Sequence, residues 1–131
     1  MRQILLSLPI LLATTAAGAQ TDDANGWALV SVGGIAAQPG GRIAFAADGA
    51  VFATSGCNRF NGQVVAAPGM VTFTTPLATT RMACPGTMGE QEELVLGALT
   101  GTVAVAFDPV ADRMMLIPTN GAAVLGFARD D

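Results

Sequence analysis

The chain has 131 residues, with six Lys and Arg against ten Asp and Glu, a net charge of −4 and 51% hydrophobic residues. Without a dense positive footprint to neutralise phosphates, this composition excludes nucleic-acid binding. The absence of His, Lys and Tyr removes the commonest general base, the Schiff-base amine and the phenolic acid, and leaves no Ser/His/Asp or Cys/His triad within the chain.

Residues 1–19 read as a signal peptide. Arg2 supplies a minimal positive start, "ILLSLPILLA" an apolar stretch, and Ala17 to Ala19 a small-x-small cleavage pattern before Gln20. The apolar run falls short of the roughly 20 residues that a membrane span needs, and no cysteine follows it to carry a lipid. The expectation is an exported chain, periplasmic or secreted, with no membrane anchor after cleavage, a short leader at 20–25 and a single domain at 26–131.

Beyond the leader, short apolar runs alternate with turn residues. "WALVSV" (27–32) places Trp27 and Leu29 on one side and Ala28 and Val30 on the other, as a strand does. The Pro-Gly step of "QPGG" ends that region, and "RIAFA" (42–46) and "AVFAT" (50–54) form a hairpin about Ala47 to Gly49. "QVVAA" (63–67) and "MVTFT" (70–74) form another about Pro68 and Gly69. Three more strands follow near the C-terminus, at 102–107, 113–117 and 122–127, and Asn120-Gly121 predicts a tight hairpin turn.

One segment, "TMGEQEELVLGAL", predicts a helix. Thr87 and Glu90 have capping-box spacing, Glu90, Glu92 and Glu93 sit in the first turns, and Val95 and Leu99 join Met88 and Leu94 or Ala98 in an apolar stripe. The acidic run reads as a solvated helix start rather than a metal site. About eight short strands with one helix after the fifth predict an α+β fold. The sheet is mainly antiparallel, strongly twisted or partly rolled into a barrel, with the helix covering an opening.

"SGCNRFNGQ" (55–63) and "TTRMAC" (79–84), with the helix and the closing "LGFAR", resemble the META domain, or HslJ-like, family. "WALVSVGG" and "FAADGAVFATSGCNRFNG" fit the same pattern, so the resemblance spans Trp27 to Arg129. It implies a small, mostly β domain of secreted or periplasmic bacterial proteins, associated with stress tolerance and with no agreed reaction. Some relatives are lipoproteins, whereas this chain lacks an anchoring cysteine. Many have an aromatic residue where this chain has Val64.

Cys57 and Cys84 form an even pair in a chain expected to be exported, so a disulfide is the default expectation. Two free thiols acting as small apolar residues, or a redox pair with Arg59 or Arg81 lowering a thiol pKa, remain open. Gly56 and Gly62 are expected to permit turns, Asn58 and Asn61 to bond nearby backbone or adopt left-handed geometry, and Phe60 to anchor the loop. Arg59 and Arg81 point either inward to hold the connection or outward to a ligand carboxylate. Thr80 and Met82 complete the second motif, with Thr79 and Thr80 as local hydrogen-bond formers. Met70, Met82, Met88, Met114 and Met115 read as core fillers.

The expected function is non-enzymatic: a monomeric envelope domain that binds a protein or a small apolar ligand, with no cofactor or metal. Two other readings compete with it. One is a thiol redox protein using Cys57 and Cys84; the other is a hydrolase using carboxylates such as Asp48, Asp108 or Asp112, two of which would converge in a cleft.

Overall fold

The computed structural model describes residues 26–130, so the expected signal peptide and the leader at 20–25 lie outside the described residues. In chain order the elements are β1 (Gly26–Val32), β2 (Ile35–Ala36), β3 (Arg42–Phe45), β4 (Ala50–Thr54), β5 (Arg59–Ala67), β6 (Met70–Phe73), β7 (Ala78–Thr79), α1 (Gly86–Ala98), β8 (Thr102–Asp108), β9 (Arg113–Pro118) and β10 (Leu125–Asp130). Setting aside the two-residue β2 and β7, eight strands run antiparallel in the order β1-β3-β4-β5-β6-β8-β9-β10. β10 then pairs back onto β1, from Gly26 opposite Asp130 to Val32 opposite Leu125, and closes the sheet into a barrel. Closure removes the exposed edges that an open sheet leaves. The helix enters after β6, the fifth barrel strand.

Period-two alternation fills the barrel. Leu29, Ile43, Val51, Phe60, Val64, Val71, Val103, Leu116, Leu125 and Phe127 point inward and are buried. α1 lies across one end, where Val95, Ala98 and Leu99 join that core. At the other end, Trp27 meets Phe107 edge-on at 5.7 Å, and the Arg129 guanidinium stacks 4.2 Å from the Trp27 ring. Arg129 also pairs with Asp112. No helix among the described residues is long and apolar enough to cross a membrane.

Several local expectations need correction. α1 begins at Gly86 behind Pro85 with no side-chain cap and no acid in its first turn, so the Thr87–Glu90 capping box does not form. Cys84, which forms a disulfide with Cys57, and the fixed φ of Pro85 set the helix entry before Thr87. Leu94 is exposed, and the inward stripe instead carries Gln91. Asn120-Gly121 makes no two-residue hairpin. β9 ends at Pro118 and β10 starts at Leu125, and the Asn120 side chain turns the chain locally by accepting from the Ala122 N–H. Of the five methionines expected in the core, only Met114 is buried there, while Met70, Met82 and Met115 are exposed. They lie on outward positions of the closed barrel or on the segment before α1.

Candidate functional site

At the helix-covered end, the β4–β5 connection, the segment before α1 and α1 itself meet around Asn58, which is 3% exposed. Its amide nitrogen donates to the Met82 carbonyl at 3.0 Å and to Glu92 Oε2 at 2.7 Å. Its amide oxygen accepts from Thr80 Oγ1 at 2.8 Å and from the Met82 N–H at 2.7 Å. The Asn58 carbonyl accepts from Thr54 Oγ1, and the Arg59 N–H donates to Thr80 Oγ1. An asparagine suits this position because one planar group offers donors on one side and an acceptor on the other. The two sequence motifs therefore meet through Asn58 and Thr80 hydrogen bonds, and the sulfurs complete the joint: Cys57 and Cys84 form a disulfide with Cα atoms 6.1 Å apart.

Glu92 is the member that sequence reasoning missed. Its Oε1 accepts from Ser55 Oγ at 2.7 Å and from the Asn58 N–H at 3.0 Å. Burial acts to raise its pKa. Hydrogen bonds from the Asn58 side chain, the Ser55 hydroxyl and the Asn58 backbone outweigh that effect and leave the carboxyl below its ordinary value. Gln91 beside it donates to the Ser55 carbonyl and accepts from the Gln38 N–H, each at 2.8 Å. A signal was present: Glu92 falls between Met88 and Val95 at the i, i+4, i+7 spacing of the inward face.

The other motif residues divide by strand geometry. Residues 59–62 belong to β5 rather than to a loop, so Phe60 points inward at 1% exposure while Arg59 and Asn61 point outward. Asn61 is not left-handed, since Asp112 is the sole non-glycine with positive φ among the described residues. Gly62 is no turn residue either; a Cβ there would meet the Leu77 side chain at 2.8 Å. Gly56 does need its freedom, with φ +110° and the Pro39 carbonyl 2.8 Å from where a Cβ would sit. Arg81 and Met82 are exposed, although the Met82 backbone is held by Asn58.

Chemically, this arrangement holds structure together. Cys57, Cys84 and Glu92 place three potential ligand atoms within 4.8 Å of one another, but the sulfurs are bonded to each other and offer no thiolate. A Glu92 oxygen lies 3.6 Å from Cys84 Sγ, where its negative charge repels an attacking thiolate, the reverse of a reactive cysteine's surroundings. Asp48 accepts from the Ala50 N–H and Asp108 from the Val110 and Ala111 N–H groups, while Asp112 pairs with Arg129. Each aspartate thus serves its own turn or that ion pair, and among the described residues no three acids gather into a site.

Two solved structures share this architecture. One NMR structure is 23% identical, covers 82% of this chain and 91% of its own, and has a TM-score of 0.63. Another, of a protein from Burkholderia xenovorans, is 26% identical, covers 96% of this chain and 99% of its own, and has a TM-score of 0.62. No curated protein matches the chain. The META domain family model matches residues 20–131, which takes in the barrel, the helix and both motifs, and the chain belongs to the META domain family.

Proposed function

We propose that this chain is a non-catalytic, exported domain of the bacterial envelope that holds a partner protein against the outside of its barrel. One observation carries the reading. The outward residues of β5, β6, β8 and β9 form an apolar stripe in which Ala67, Met70, Ala104 and Ile117 are successive cross-strand neighbours, flanked by Val65 and by Ala106 opposite Met115. Val65, Met70, Met115 and Ile117 are 60, 42, 43 and 38% exposed, and none of these positions is charged. Contiguous apolar surface of this kind marks an interaction site more often than scattered single residues do, and methionine adapts to a partner's shape.

The barrel interior supports this reading over a small apolar ligand held inside. Phe60, Ile43, Leu116 and Leu125 occupy that interior at 1% exposure or less. The signal-peptide pattern and the disulfide both fit an oxidising compartment.

Photocrosslinking in intact cells tests the proposal. A crosslinker at position 115 or 117 is expected to give one discrete adduct, absent from position 81 at the helix end and lost when Met70→Lys is added. Equal adducts from all three positions, or none from 115 and 117, would overturn it.

A further inference from the structure

The outer face of β3, β4 and β5, away from the apolar stripe, contains a hollow of about 430 Å³ lined by Arg42, Phe52, Thr54, Arg59 and Asn61 above the buried Ala53 and Phe60. Register fixes its layout. Thr54 stands between Arg42 and Arg59 in one cross-strand row, and Phe52 stands between Ala44 and Asn61 in the next. Arg59 and Asn61 are two apart on β5, so their side chains leave the same face about 7 Å from each other. Phe52 is directly opposite Asn61 and diagonal to Arg59, and the residue is 56% exposed.

The polar groups differ in what they have left to offer. Arg42 reaches to Asp130, with Nε and Nη2 at 2.9 and 2.8 Å from the carboxylate, so its charge is compensated and its stem forms a wall. The Thr54 hydroxyl donates to the Asn58 carbonyl and accepts from the Gly56 N–H. By contrast, Arg59 has no carboxylate partner, and the Asn61 amide no hydrogen-bond partner, among the described residues. No acid lines the hollow, although the chain carries a net charge of −4.

We infer that this hollow binds a small carboxylate carried on a planar apolar body. Arg59 receives the carboxylate through its paired N–H groups, Asn61 donates to the second oxygen, and the body lies on the Phe52 ring. A guanidinium fork matches carboxylate geometry with two parallel charge-assisted bonds, and the exposed ring adds apolar contact that inorganic anions cannot use. Arg59 holds its strand through its backbone N–H, which leaves the side chain free for this role.

The test is amide-resolved NMR titration of the purified protein with 2-naphthoate, the neutral 2-naphthylmethanol and inorganic phosphate. Naphthoate is expected to shift the amides of residues 52, 59 and 61, and to bind at least about tenfold more tightly than the alcohol. Arg59→Gln should weaken naphthoate by about tenfold or more and Phe52→Ser by several-fold, with thermal melts unchanged because both side chains are outside the core. Shifts centred elsewhere, equal affinity for the alcohol, phosphate binding as tight as naphthoate, or an unaltered Arg59→Gln titration would overturn the assignment.

Discussion

Glu92 couples the stability of this domain to acid. Its carboxyl is bound by Ser55 and Asn58 and titrates below its ordinary value, so folding favours the ionised form. That contribution is complete above the unfolded pKa of about 4.3 and disappears as pH falls through the lower folded value. Glu92→Gln turns an amide N–H toward one of the donors that the carboxylate now accepts from, and should cost about 2 kcal/mol at neutral pH. Urea unfolding of both proteins between pH 7 and pH 2.5 should show the gap closing below about pH 4. A gap constant with pH would mean that Glu92 acts by packing alone. At this scale the sequence was partly legible. Phe60 as an anchor follows from alternation, but an asparagine side chain's partners depend on which segments meet, and those of the Asn58 side chain lie 22 to 34 residues away.

The element most dependent on its cross-link is the segment from Thr80 to Pro85, which follows β7 and forms no regular structure. Its ties are the Asn58 hydrogen bonds, those between Thr80 and the Arg59 backbone, and the Cys57–Cys84 bridge, with a sequence separation of 27. Closing a loop of that size stabilises by about 3.5 kcal/mol on the chain-entropy estimate. Cys57→Ser with Cys84→Ser should therefore lower the urea-derived stability by about 2 to 4 kcal/mol while far-UV circular dichroism keeps its β signature. Loss of that signature would show that the Asn58 bonds cannot hold the segment alone. Period-two alternation located six of the eight barrel strands to within a residue, since each has one face in the core, but β5 begins four residues before the expected 63–67 and β10 three after the expected start at 122. β2 and β7 escaped because two residues show no period, and the Asn-Gly turn because the chain between β9 and β10 also has to pass α1, where Asn120 donates to the Gly97 carbonyl.

As a whole molecule, the barrel depends on its last strand. β10 bonds to β9 on one side and to β1 on the other, and it places Leu125 and Phe127 in the core. Removing residues 125–131 opens two ladders and uncovers apolar surface on both flanks. The truncated chain should lose the cooperative unfolding transition of the full chain, measured by calorimetry; a retained transition would show that the remaining strands close without β10. Closure is the least legible feature in the sequence, because nothing local to β1 or β10 records that the two are neighbours across nearly the whole chain.

That seam carries its own optical label. The chain has one tryptophan and no tyrosine, and Trp27 lies on β1 opposite Arg129 of β10, beneath its guanidinium. Intrinsic fluorescence of this protein therefore reports from one place, the seam of the first and last barrel strands, where β3 also pairs and Phe107 of β8 packs. Time-resolved emission can follow the assembly of that place separately from events at the helix-covered end.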